Sequence, residues 1–110
     1  MAIVDVSGIA SQILKQASKL GGDTWTRIQK SAPIYVRGYA QALADIAEGV
    51  KKGEISESDG KMYAENAELL LVQGIANTSQ IVLVEVQRLF ASVLSVLKSS
   101  INAKLPVPIL

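Results

Sequence analysis

The chain has 110 residues, 49% hydrophobic and 19% charged, with a mean hydropathy of +0.30; that argues against disorder and leaves more apolar surface than a small domain ordinarily carries. With no Cys there is no disulfide scaffold or thiolate chemistry, and with no His the commonest general base and metal ligand is missing. A formal net charge of +1 gives no electrostatic case for nucleic acid.

The opening Met1-Ala2-Ile3-Val4-Asp5 lacks a basic stretch and is not followed by a long apolar run, so no signal peptide is expected. A cytoplasmic or assembly-associated location fits this start. Ile3, Val6, Ala10, Ile13, Ala17 and Leu20 then recur at helical spacing. Gly21-Gly22-Asp23 should break that helix, with Asp23 capping a restart at Thr24, and Pro33 should kink or break it again because it has no amide hydrogen to donate. Val36, Tyr39, Leu43, Ile46 and Val50 resume the period up to Lys51-Lys52-Gly53, where cations and a glycine suit a helix C-terminus. Ser56, followed by Glu57 and Asp59, reads as the next N-cap.

Beyond this turn Leu69, Val72, Ala76, Ser79, Leu83, Val86, Phe90, Val93 and Leu97 alternate in steps of three and four, the seam of a helix packed along its length. Ile75, Val82, Leu89 and Val96 widen the seam on one side. Gly74 and Asn77-Thr78-Ser79 are weak helix formers, and they fall opposite Pro33 when the two arms are paired across the turn. Pro33, Gly74 and Asn77 are therefore candidate hinge residues. Residues 5–52 and 57–103 are of nearly equal length and would make a hairpin about 70 Å long at about 1.5 Å per residue. Folded back at the hinge, the same arms would give helices near 5–31, 34–52, 57–75 and 79–103. The unbroken seam through Ala76 and Ser79 favours one continuous second helix, since a break usually resets the apolar phase.

The fold class expected is all-α: an antiparallel helical hairpin or up-down helical bundle with a long C-terminal helix, oligomeric, in a single domain over 1–104. Residues 105–110, Leu-Pro-Val-Pro-Ile-Leu, form an apolar tail whose prolines forbid helix and suit an extended course in a groove. The segment 69–97 carries only Glu85 and Arg88, spaced so that they can pair, but its polar residues disfavour a simple bilayer span.

Chemistry-bearing constellations are few. Asp45 with Glu48, and Glu65 with Glu68, are carboxylate pairs at similar height on facing arms; without His they read as solvated surface rather than a metal site. Trp25, Tyr35, Tyr39, Tyr63 and Phe90 are scattered anchors, not a base-stacking platform. Gly38 with Ala42, and Ala40 with Ala44, permit close helix approach. No catalytic triad or phosphate loop can be written. Residues 10–37 are mainly basic and 38–68 mainly acidic, which suits solubility or a head-to-tail contact between protomers.

The expectation is a non-enzymatic, self-associating structural or assembly subunit without cofactor or metal. Its oligomer interface would be Leu69, Val72, Ala76, Leu83, Val86, Phe90, Val93 and Leu97. Two alternatives are a membrane-active protein that inserts 69–97 after a hinge rearrangement, and a small adaptor or inhibitor that binds another protein. A membrane partner is the less favoured.

Overall fold

The computed structural model describes residues 4–110, so Ile3 of the first apolar seam lies outside the described residues. Five helices follow in order: α1 Val6–Leu20, α2 Gly22–Ile28, α3 Ala32–Lys51, α4 Glu57–Ser79 and α5 Leu83–Lys104. There is no strand among the described residues.

Local chemistry sets most of the boundaries. Asp5 caps α1 by accepting from the Gly8 amide at 2.9 Å. The first break falls at Gly21, where a Cβ would sit 2.6 Å from Trp25 Cβ and 2.7 Å from the Ala17 carbonyl oxygen. Asp23 does not cap a restart at Thr24; α2 already begins at Gly22, whose φ of +51° turns the chain, and Asp23 lies in its first turn. Pro33 occupies the first turn of α3, where a missing amide hydrogen leaves no helix bond unmade. The α3–α4 turn follows the expected pattern, with Gly53 at φ +78° and Ser56 Oγ accepting from the Asp59 amide at 3.1 Å.

The second arm is not one continuous helix. Gln80 adopts the left-handed conformation at φ 54°, and the Ile81 amide donates back to the Ala76 carbonyl at 3.1 Å, which closes α4. The apolar phase survives this break. Val72, Ile75 and Ala76 of α4 and Val86, Phe90, Val93 and Leu97 of α5 enter the same core, because α4 packs on α3 while α5 packs on α1. A continuous stripe in sequence is thus divided over two helices that share one interior.

The long helices form a closed ring of neighbours: α1 on α3, α3 on α4, α4 on α5 and α5 on α1, with α2 bridging one end. The longest dimension is 41 Å and the radius of gyration 13.5 Å, so the extended 70 Å hairpin is not the form observed. Fully buried Ile9, Ile13, Val36, Leu43, Ile75, Phe90 and Ile101 make the centre. The C-terminal segment closes it. Asn102 Oδ1 accepts from the Ile109 and Leu110 amides at 3.2 and 3.0 Å, and Leu105 and Ile109 are buried. The expected apolar tail therefore lies against its own chain.

Candidate functional site

Most of the residues expected at an oligomer interface are used inside the chain. Val72, Ala76, Val86, Phe90, Val93 and Leu97 are core residues, whereas Leu69 and Leu83 remain 44% and 41% exposed. In this conformation the first six present nothing to a second molecule. The reason is the break at Gln80, which lets α5 fold its half of the stripe onto α1.

The apolar surface that is left open lies elsewhere. Ile34 is 69% and Leu70 68% exposed, and they border a groove of about 260 Å³ between α3 and α4. Gly38, Ala42 and Ala67 line it with small side chains, and no charged residue does. A Cβ on Gly38 would meet nothing within 4 Å, so this glycine faces open space. The Gly38 and Ala42 spacing, read from sequence as a site of close helix approach, thus falls on a free face.

The hinge candidates sit where α3 begins and α4 ends. Ser31 Oγ and Ser79 Oγ are hydrogen-bonded at 2.7 Å, and Tyr35 Oη and Thr78 Oγ1 at 2.6 Å, so the two arms are tied together at the height of Pro33. Gly74 lies inside α4 under the Tyr35 ring, and Asn77 is exposed in the last turns of that helix. The helix end itself falls at Gln80. Nearby, Glu85 pairs with Arg27 at 3.8 Å rather than with Arg88, because α2 brings a cation across from the first arm.

The carboxylates divide. Asp45 accepts from Gln41 at 3.0 Å and Glu48 lies 3.8 Å from Lys52, both along α3 and its C-cap. Glu65 and Glu68 instead line a cavity of about 480 Å³ between α4, α5 and the C-terminal segment. Among the described residues no group of three or more acidic side chains could hold a metal ion. Tyr39 reaches this cavity from α3; it is 3% exposed, and its hydroxyl is buried without a hydrogen-bond partner. Burial, and secondarily the Glu68 charge, push its phenol well above the ordinary range and keep it neutral. Burial and then Glu65 also raise the Glu68 carboxyl above its usual value of 4.5.

A carboxyl raised in the folded state binds its proton more tightly there than in the unfolded chain. Its contribution is therefore most favourable in acid and is lost as pH rises from the unfolded value through the folded one. Glu68→Gln, which removes that loss, should raise Tm at pH 7 and leave it unchanged at about pH 3, where the parent carboxyl is already protonated. Differential scanning fluorimetry of both proteins across this range checks it.

Sequence reasoning did not find Ile34, Leu70 or the role of Tyr39. Two signals were present: Leu69-Leu70-Leu71 cannot all face one side of a helix, and Ile34 lies off the seam beside Pro33. No family model, curated protein or solved structure matches the chain. No helix of the described residues is long and apolar enough to cross a membrane.

Proposed function

We propose that this chain is a non-enzymatic, self-associating helical protein, an up-and-down bundle that acts as a structural or assembly subunit, and that copies meet through the α3–α4 groove. The observation that carries the reading is the pair Ile34 and Leu70, each more than two-thirds exposed beside a groove lined without charge. Burying a side chain of that kind stabilises by about 1.5–3 kcal/mol, and a two-fold axis would bury each of them twice. The small side chains of Gly38, Ala42 and Ala67 allow a helix of the second copy to approach closely. The lack of His and Cys supports a role without covalent or general-base chemistry.

Sedimentation velocity over a wide concentration range, with and without liposomes, tests the proposal. The parent should show a concentration-dependent dimer or larger species in the absence of lipid. Leu70→Glu and Ile34→Glu should each shift it to monomer while leaving the unfolding free energy of the single chain within about 0.5 kcal/mol of the parent, because both positions face solvent there. A parent that stays monomeric at several hundred micromolar overturns it, and assembly only with lipid would favour the membrane-active alternative.

A further inference from the structure

The end of the bundle bridged by α2 gathers cations and apolar side chains that the α3–α4 groove does not use. α1 stops there at Leu20, the α2–α3 turn carries Lys30, and the link from α4 to α5 is only Gln80, Ile81 and Val82. The hydrogen bond between Ser31 and Ser79 and the ion pair of Arg27 with Glu85 hold these segments beside one another. Lys19, Arg27, Lys30 and Arg88 are all exposed at this end, against Asp23 and Glu85. Nothing else dilutes that excess, because Asp23 is the sole acidic residue between Asp5 and Asp45, and Glu85 the sole one beyond Glu68. Among the described residues, Arg27 alone of these cations reaches a carboxylate.

The apolar part is the link itself. Val82, Leu83 and Val84 are consecutive and all exposed, and so is Leu20, which borders a shallow depression with Arg88. Adjacent apolar side chains ringed by cations have the composition of a segment that rests at headgroup level, its hydrocarbon in the acyl boundary and its Lys and Arg stems reaching outward to phosphate. Trp25, half-buried on α2 at the same end, is a residue type that favours that depth. Charge decides the partner. The opposite end of the bundle mixes Glu54, Glu57 and Asp59 with Lys51, Lys52 and Lys104, so a second copy brings no matching acidic face. An anionic bilayer brings a continuous one.

We propose that this end of the bundle docks on an anionic lipid surface. Val82, Leu83 and Val84 enter the headgroup layer, and Lys19, Lys30 and Arg88 meet lipid phosphates. The bundle stays folded, which separates this contact from insertion of 69–97, and the α3–α4 groove is left free. Each cation held near such a surface is worth about fivefold in affinity.

The test is co-sedimentation of the full chain with vesicles of phosphatidylcholine containing about 30% phosphatidylglycerol, and with vesicles of phosphatidylcholine alone. The anionic vesicles should bind at least about tenfold more tightly, and added salt should weaken them. Chain-brominated lipid in those vesicles should quench the single tryptophan, Trp25. Lys30→Gln with Arg88→Gln should weaken binding about thirtyfold, whereas Lys51→Gln with Lys61→Gln, the same change of net charge at the other end, should weaken it less than about threefold. Val82→Ser with Val84→Ser should weaken it at least about tenfold. Serine at position 82 also supplies the capping side chain that α5 lacks, so unfolding does not account for that loss. Equal binding to both vesicle types, equal loss in the two lysine and arginine pairs, an unquenched Trp25, or unaltered binding in Val82→Ser with Val84→Ser would each overturn the proposal. Lipid-free oligomers that dissociate in Lys30→Gln with Arg88→Gln would overturn it as well, by assigning this end to a protein contact.

Discussion

Phe90→Asp is expected to abolish the folded state, while Leu83→Asp, seven residues earlier on the same sequence stripe, is expected to be tolerated. Phe90 is completely buried on α5, and its neighbours in the core are hydrocarbon. A carboxylate there loses its hydration without gaining a partner, an effective penalty of several kcal/mol, on top of about 3–5 kcal/mol for the lost ring. The total stability of a domain of this size is about 5–15 kcal/mol, so little or no native population should remain. Leu83 is the first residue of α5 and is 41% exposed, and the cap residue before it, Val82, makes no side-chain cap bond. An acidic group in that first turn faces the positive end of the helix dipole, which offsets part of the lost apolar contact by about 0.3–1 kcal/mol. Circular dichroism melts should show a cooperative transition for Leu83→Asp within a few degrees of the parent and none for Phe90→Asp. Equal loss of folding in both would mean that Leu83 is as deeply packed as its place in the stripe suggests.

The contrast shows where periodicity stops being informative. Spacing in threes and fours identifies which side chains share a face, and of the eight drawn as an oligomer interface Val72, Ala76, Val86, Phe90, Val93 and Leu97 are buried within the chain while Leu69 and Leu83 are exposed. It carries no information on whether the surface opposite belongs to the same chain or to another. The all-helical class, the Lys51-Lys52-Gly53 end and the Ser56 cap were legible because each is decided by residues within one turn of one another. The break in the second arm was legible only as the less favoured alternative, near 75–79, and its closure at Gln80 was not. A left-handed glutamine is unfavourable in isolation, and it is held by the packing of Ile81 and by two arms that meet the same core from different sides. Tyr39 shows the same limit. Its spacing marks it as a core aromatic, while the fate of its hydroxyl depends on α4 and α5, far away in sequence.

Gly74→Ala should destabilise the protein by about 1–2 kcal/mol, although alanine is the better helix former by up to about 1 kcal/mol. A Cβ at this position would overlap the Cε1 and Cδ1 atoms of the Tyr35 ring. The ring is not free to withdraw, because it is half-buried and its hydroxyl is bound to Thr78 Oγ1 at 2.6 Å on the same helix. Relief requires either an off-rotamer tyrosine or a separation of α3 from α4, and the second loosens the neighbouring Ser31 to Ser79 bond as well. Removing the ring reverses the sign. In a Tyr35→Ala background the space is open and Gly74→Ala should stabilise by its helix propensity alone, so the double-mutant cycle should return a coupling of about 2 kcal/mol. Chemical denaturation of the four proteins measures it, and additivity within about 0.5 kcal/mol would show that Tyr35 does not hold α4 at Gly74. The same variants examine the proposed hinge. Spin labels on Ser58→Cys and Ser99→Cys, near the start of α4 and the end of α5, should report one short distance in the parent. A longer second population should appear in Gly74→Ala with Asn77→Ala, in which the tie to α3 is strained while the helix is strengthened across the weak point. It should shrink when Tyr35→Ala relieves the overlap and leaves helix strengthening to act alone. A distance that stays short and single in all variants would place the strain entirely within the tyrosine side chain and remove Pro33, Gly74 and Asn77 as a point of opening.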